Sequence, residues 1–153
     1  MSIDIVDESS TVWVVPQRIE DLIVHVLGRL HLDPDCTVSV ACVDEGRMAE
    51  LHEKWMDEPG PTDVMSFPMD EMRPGIAGEP APLGILGDIV LCPAFAERQA
   101  VEAGHAREDE LDLLVVHGML HLVGFDHAEP EEHRVMFDLQ GAILEDWRSR
   151  EAR

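Results

Sequence analysis

The sequence has very little positive charge. It contains 11 Lys and Arg residues against 32 Asp and Glu residues, Lys54 is the only lysine, and the formal net charge is −21. Phosphate backbones are usually held by Lys and Arg, so a chain this acidic is expected to bind naked nucleic acid poorly unless a metal ion or a partner supplies positive charge. Most of the carboxylates are expected to serve as a solubilising surface.

The chain also lacks the segments typical of membrane and secreted proteins. No apolar run approaches the roughly 20 residues of a membrane-spanning helix. The first four residues, MSID, are acidic where a secretory signal would be basic. The cysteines Cys36, Cys42 and Cys92 are odd in number and form no CxxC pair, which favours reduced thiols over a disulfide framework. These features predict a cytoplasmic protein.

Length and apolar periodicity predict one α+β domain over residues 1–153. Runs rich in β-branched residues predict strands at 3–6, 37–43, 62–67 and 85–92. Helical spacing, with proline or acidic residues in first turns, predicts helices that begin near residues 16, 45, 93, 108 and 130. The Pro- and Gly-rich stretch 69–84 is predicted to be a loop, either functional or a variable insertion.

Two of these helices have a predicted buried face. Asp44 is expected to cap the second helix, which would bury Met48, Leu51 and Trp55. The stripe expected for the last helix is Val135, Met136, Leu139, Ile143 and Trp147.

The helix predicted before residue 123 is the most informative segment. From residue 113 to 123 it is apolar nearly all round, interrupted only by His117, Gly118 and His121, so it belongs at the centre of the core. The two histidines are four residues apart and project from one helix face. Gly124 can end the helix in a left-handed turn and allow His127 to return to the same place.

Three imidazoles in this arrangement predict a metal site. A lone histidine on an apolar face is usually a satisfied core residue, but three buried imidazoles would each need a partner, at a cost of about 1–3 kcal/mol when unpaired. Three histidine ligands leave a tetrahedral zinc with one open position, as in catalytic sites. A closed structural site would need a fourth ligand, for which Cys92 is only a remote candidate. Nickel, copper or cobalt would suit the same ligands.

Gly118 separates this motif, HGxxHxxGxxH, from that of the metzincin proteases, HExxHxxGxxH, in which the glutamate is the general base. A glycine cannot take a proton from water. Mid-helix glycine costs about 1 kcal/mol relative to alanine. Either a close approach of backbone, metal or substrate, or tight helix packing, would explain its presence.

The histidine segment resembles the signature of the YbeY family of ribosomal RNA maturation factors, HGxLHLxGYDH, with Phe125 in place of tyrosine and Met119 within the variable position. Residues 61–68, PTDVMSFP, resemble the family's PTDVLSFP block, and residues 86–90, LGDIV, resemble its LGDI block. The resemblance extends over residues 37–147, in the family's order.

The resemblance implies a small mixed four-stranded sheet packed with about five helices, with a central apolar helix that bears the metal ligands. It implies a single-strand-specific, zinc-dependent endoribonuclease that matures the 3′ end of small-subunit ribosomal RNA and takes part in ribosome quality control. One zinc ion would be held by His117, His121 and His127. Expected partners are precursor ribosomal RNA and small-subunit ribosomal or assembly proteins, with no membrane and no DNA.

The sequence departs from the family at one position that matters. Many members have an arginine shortly before the PTDVLSFP block that is thought to hold substrate, and Met56 stands in that place. The phosphate-holding role of that arginine therefore cannot be carried over to Met56. Lys54 is an alternative phosphate ligand, although it would project from a different helix face.

Four polar residues lie near the motifs, and the sequence leaves more than one role open for three of them. Ser66 can donate to phosphate or complete backbone pairing at a strand end. Asp126 can act as a base, contact a ligand histidine or shape a turn. Asp88 can orient a ligand histidine or cap a turn, and Asp63 is expected to serve structure.

The expected chemistry is hydrolysis at the metal. Zinc lowers the pKa of bound water toward about 7, and the resulting hydroxide, or an activated ribose hydroxyl, would attack the phosphodiester. One alternative is a zinc metalloprotease-like hydrolase with a base from elsewhere in the chain. The other is a non-enzymatic, zinc-stabilised ribosome assembly factor, whose acidic surface would attract basic ribosomal proteins.

Overall fold

The computed structural model describes residues 2–151 and contains both strands and helices. The strands are β1 (Ser2–Asp7), β2 (Thr37–Cys42), β3 (Val64–Pro68) and β4 (Ile85–Leu91). The helices are α1 (Pro16–Arg29), α2 (Glu45–Met56), α3 (Pro93–Ala103), α4 (Arg107–Leu122) and α5 (Pro130–Glu151). None of these helices combines the length and apolar character needed to cross a membrane. The predicted single domain, residues 1–153, includes residues 1, 152 and 153, which lie outside the described residues 2–151. That the chain forms one domain therefore stays a prediction.

The four strands form one mixed sheet in the order β1-β2-β4-β3. β1 pairs parallel to β2, β2 pairs parallel to β4, and the short β3 pairs antiparallel to β4 at the edge. Four strands, five helices and mixed pairing confirm the predicted α+β fold. The parallel strands need helical crossovers, and these crossovers bring helices against the sheet.

The two faces of the sheet bury different cores. α1 and α4 pack on one face, where α4 contributes Val116, Met119 and Leu120, all fully buried. α2 packs a smaller cluster around Met48 on the other face. Since side chains alternate along a strand, the paired residues Ser66 and Ile89 face α4, whereas their strand neighbours face α2.

Several predicted contacts of α2 and α5 are wrong. Trp55 remains 57% exposed because α2 extends beyond the small cluster, and its ring makes an edge-to-face contact with Phe67. Asp44 lies at the N-cap of α2, but its carboxylate accepts hydrogen bonds from Ser10 and none from the helix. Val135 is 42% exposed because the buried stripe of α5 passes through the next residue, Met136.

The predicted loop between β3 and β4 has no strand of its own, but it is tied to the end of α1. Gly75 N–H donates to the Leu30 carbonyl at 3.0 Å, and Ala81 N–H donates to the His31 carbonyl at 2.9 Å. Met72 is buried in the main core. The loop therefore holds a defined course past the C-terminal end of α1.

Candidate metal centre

His117 and His121 lie one turn apart on α4, with their ring centroids 4.6 Å apart. Their Nε2 atoms are separated by only 3.1 Å. Both side chains are half-buried, and both line a cleft of about 730 Å³. The predicted projection of two imidazoles from one helix face is therefore observed.

The third histidine reaches the same place through a tight turn after α4. Gly124 has φ +95°, a left-handed conformation that side chains rarely adopt. The Phe125 N–H donates back to the Leu120 carbonyl at 3.1 Å, which reverses the chain. The His127 ring then lies 5.5 Å from His117 and 5.2 Å from His121, with one nitrogen of each ring within 4.8 Å of the others.

Hydrogen bonds fix which nitrogens face the centre. His121 Nδ1–H donates to the Phe125 carbonyl at 2.9 Å, and His117 Nδ1–H donates to Oε1 of the buried Gln140 at 2.8 Å. A neutral imidazole that carries its proton on Nδ1 keeps a lone pair on Nε2. Acceptors in this position typically orient and strengthen metal-ligating histidines.

The facing lone pairs fit a shared metal ion. Two lone pairs 3.1 Å apart repel each other unless a positive centre lies between them. Two tetrahedral ligands at about 2.0–2.1 Å from zinc would be roughly 3.3 Å apart, close to the observed spacing. Within residues 2–151 no fourth histidine, cysteine or carboxylate joins this group, so the donor set matches an open three-histidine site.

Burial favours the metal-binding form of the ring. Desolvation lowers the pKa of both His117 and His121 below the usual histidine value, and the nearby His127 acts in the same direction. A proton shared between the rings is therefore disfavoured at neutral pH. Neutral imidazole is the form that binds a metal ion.

The two tentative site residues both line the cleft, and each has a structural bond as well. The Ser66 hydroxyl donates to the Gly118 carbonyl at 3.1 Å and so ties β3 to α4. Asp126 is exposed, and its Oδ1 accepts the His127 N–H at 2.7 Å, which shapes the turn.

Tight helix–sheet packing accounts for Gly118. A Cβ at this position would lie 3.2 Å from Ser66 Oγ and 3.3 Å from two carbons of Ile89. A side chain here would be directed at β3 and β4. A glutamate base of the metzincin kind has no room at this position in this fold.

Asp88 and Cys92 lie away from the three histidines, whereas Asp63 lines the same cleft. Asp88 is exposed on the α2 face of the sheet, in a second cavity beside Trp55, so it does not orient a ligand. Cys92 is buried in the small α2 cluster and is not part of the histidine group. Asp63 accepts the Val64 N–H at 2.7 Å and a bond from the Gln99 amide at 3.2 Å, a structural arrangement that agrees with its expected role.

One guanidinium lies beside the cleft. Met56 lines the cleft itself, and Lys54 lies over the Trp55 ring at 5.2 Å. Arg73, in the loop between β3 and β4, packs its guanidinium on Gly124. A Cβ placed on that glycine would be 2.5 Å from Arg73 Nη1.

Sequence reasoning missed two residues of the site, Gln140 and Phe137, both on α5. Gln140 falls within the buried stripe of α5 as a polar residue among apolar ones, a signal that was available in the sequence. Phe137 lines the cleft beside His117 and His127. No sequence pattern marks it, because its place depends on how α5 packs on α4.

Fold and site together define a class of protein: an α+β domain whose central helix and following turn present three histidines that can hold one metal ion. The family model described as Endoribonuclease YbeY matches residues 4–148. A Thermobifida fusca protein named Endoribonuclease YbeY is 55% identical over 148 residues, covering 97% of this chain and 95% of that protein. One of Clavibacter michiganensis with the same name is 56% identical over 144 residues, covering 94% of each.

The fold has a solved counterpart as well. A Thermotoga maritima protein, whose structure was solved in solution, superposes with a TM-score of 0.65 at 29% identity, covering 97% of this chain and 93% of that one. The chain belongs to the endoribonuclease YbeY family, which confirms the resemblance found in its motifs.

Proposed function

We propose that this protein is a single-strand-specific, zinc-dependent endoribonuclease that matures the 3′ end of small-subunit ribosomal RNA in the cytoplasm and contributes to ribosome quality control. The observation that supports it most is the set of three converging imidazoles on an open cleft, with no fourth ligand among the described residues. Family membership supports RNA as the substrate class.

The protein's own residues have distinct parts in this proposal. His117, His121 and His127 hold the ion, while Gln140 and the Phe125 carbonyl keep two of the rings in the correct tautomer. A bound zinc ion supplies Lewis-acid activation of water and offsets charge on the phosphate. Ser66 and Asp126 are the polar side chains of the cleft proposed to contact the substrate around the scissile bond.

Arg73 is proposed to take over the phosphate contact that Met56 cannot make. Its guanidinium lies against the turn that presents His127, and it forms no ion pair with a carboxylate in the part of the chain that is described. The buried Met72 beside it anchors the loop. An arginine held in this way can bind phosphate oxygens with little loss of side-chain freedom.

The test joins metal analysis to RNA cleavage. Purified wild type is expected to contain about one zinc per chain and to cut single-stranded RNA, with little cleavage of duplex RNA or casein and with loss of activity in EDTA. His121→Ala should lose both zinc and cleavage while retaining most of its helical circular dichroism. His31→Asn serves as the control, because His31 is exposed and asparagine tolerates its φ of +52°.

Each competing function predicts a different result. Casein cleavage without RNA cleavage would indicate a protease-like hydrolase. Zinc binding without cleavage, together with unfolding of His121→Ala, would indicate a zinc-stabilised assembly factor that binds ribosomal proteins through its acidic surface. Equal RNA cleavage by His121→Ala and wild type would reveal a contaminating nuclease and refute the proposal.

A further inference from the structure

Phe137 is a large apolar side chain left partly in solvent at the metal site. It is 38% exposed and lines the cleft, with its ring 5.7 Å from His117 and 5.9 Å from His127. The core-facing stripe of α5 is formed by other residues, among them Met136 and Ile143. Core packing therefore does not account for an aromatic ring at this position.

His133 supports this ring from one side. It lies one turn earlier on α5, and the two rings are parallel, with centroids 4.2 Å apart and an interplanar angle of 9°. His133 is itself exposed and lies 6.2 Å from His127. The pair is thus a two-ring stack whose inner member, Phe137, borders the cleft.

An exposed ring beside a phosphate-cleaving centre matches the way proteins hold unpaired bases. Nucleobases stack on aromatic side chains irrespective of sequence, and each such contact contributes roughly 5- to 150-fold in affinity. A base within a duplex is already stacked and paired, so it cannot occupy such a surface. A stacking surface next to the metal would select single strands at the point of cleavage.

We propose that Phe137, backed by His133, stacks the unpaired nucleobase adjoining the scissile phosphate. This inference rests on the proposed endoribonuclease function. It assigns Phe137 a substrate-binding role, with His133 as a positioning residue.

The test pairs a protein variant with a substrate variant. The site at which wild type cuts a short single-stranded RNA is mapped, and the base on each side of it is then removed in turn to give abasic substrates. Phe137→Leu should lower kcat/KM about 10-fold on intact RNA but leave cleavage of one abasic RNA nearly unchanged. His133→Ala should show the same pattern more weakly, and Val135→Ala, exposed on α5 outside the cleft lining, should match wild type.

A purely structural role for Phe137 gives a different outcome. In that case Phe137→Leu would reduce cleavage of intact and abasic RNA equally, or would reduce the bound zinc, and either result would overturn the proposal. Equal kcat/KM of wild type on intact and abasic RNA would overturn it too.

A second measurement separates this proposal from the proposed function. Binding of an oligonucleotide that contains the fluorescent base 2-aminopurine is followed by quenching, which reports stacking directly. Phe137-dependent quenching without any cleavage would support the stacking surface while refuting the nuclease. Cleavage without Phe137-dependent quenching would refute the stacking surface alone.

Discussion

Replacing Gln140 by leucine should weaken zinc binding without unfolding the protein. Gln140 is 5% exposed, and its Oε1 accepts the His117 Nδ1–H at 2.8 Å. Leucine has a similar volume but no acceptor, so the imidazole N–H would be left buried and unpaired. That loss costs about 1–3 kcal/mol, equivalent to a decrease in zinc affinity of about 5- to 150-fold. Outer-shell partners of metal-binding histidines typically contribute about 10- to 100-fold.

The glutamate variant tests the same physical argument in the other direction. Gln140→Glu keeps an acceptor and adds negative charge, which makes the His117 ring a stronger ligand when metal is bound. Its zinc affinity should therefore equal or exceed that of wild type. A matched control is Gln99→Leu, because Gln99 is a half-buried glutamine that bonds Asp63 and no histidine.

The assay is a competition for Zn²⁺ between the protein and a chromophoric chelator of known affinity. Urea unfolding in excess EDTA shows in parallel whether the variants alter the metal-free fold. Wild-type zinc affinity in a natively folded Gln140→Leu would refute the assignment of Gln140 as the group that orients His117. A loss of affinity that merely tracks a loss of metal-free stability would refute it as well.

Three further predictions concern substrate, packing and pH. Arg73→Gln should raise KM for single-stranded RNA about 5-fold and reduce the slope of log KM against log salt concentration by about 0.7. The control variant Arg148→Gln lacks a comparable contact with the cleft and should change neither quantity. An unchanged salt dependence in Arg73→Gln would contradict the phosphate contact. Gly118→Ala should lower the free energy of unfolding by about 1 kcal/mol, because overpacking against β3 and β4 outweighs the gain in helix propensity. The control variant Gly28→Ala places its added Cβ with nothing within 4 Å and should be stabilising. Stabilisation by both substitutions would contradict the packing argument. Burial lowers the pKa of His25 in the folded state, so on acidification the unfolded chain binds this proton first, at about pH 6.5. The free energy of unfolding, measured with urea in EDTA, should therefore fall as the pH drops through that value. His25→Gln should flatten part of this decline, and an identical decline in variant and wild type would contradict the role of His25.

Local sequence was sufficient where one element determines the geometry. The four-residue spacing of His117 and His121 fixes a common face on any α-helix. Gly124 marks the left-handed turn because few other residues adopt its backbone conformation. The return of His127 follows from that turn, so the convergence of the three histidines was predictable before any tertiary contact was known.

Predictions failed where an answer depends on two elements packed together. The motif around Asp88 suggested a ligand partner, but the register of β4 against β3 turns this carboxylate to the opposite face of the sheet. The helical spacing of Trp55 predicted a buried side chain, yet the small cluster around Met48 ends before Trp55 is reached. Gln140 and Arg73 approach the site from a helix and a loop distant in sequence, and no spacing rule connects them to the histidines.

The acidic composition does not by itself oppose RNA binding, because screening makes the charge balance local. At physiological ionic strength the Debye length is about 8 Å, so exposed carboxylates beyond that distance contribute little to the potential at a phosphate in the cleft. The acidic side chains that line the cleft are Asp63 and Asp126, and they would be opposed by a divalent ion and by Arg73 beside the lining residue Gly124. With zinc bound, this local sum is positive although the whole chain carries −21. RNA affinity should therefore depend on the metal far more than on any single surface carboxylate, and zinc removal should weaken RNA binding itself as well as cleavage.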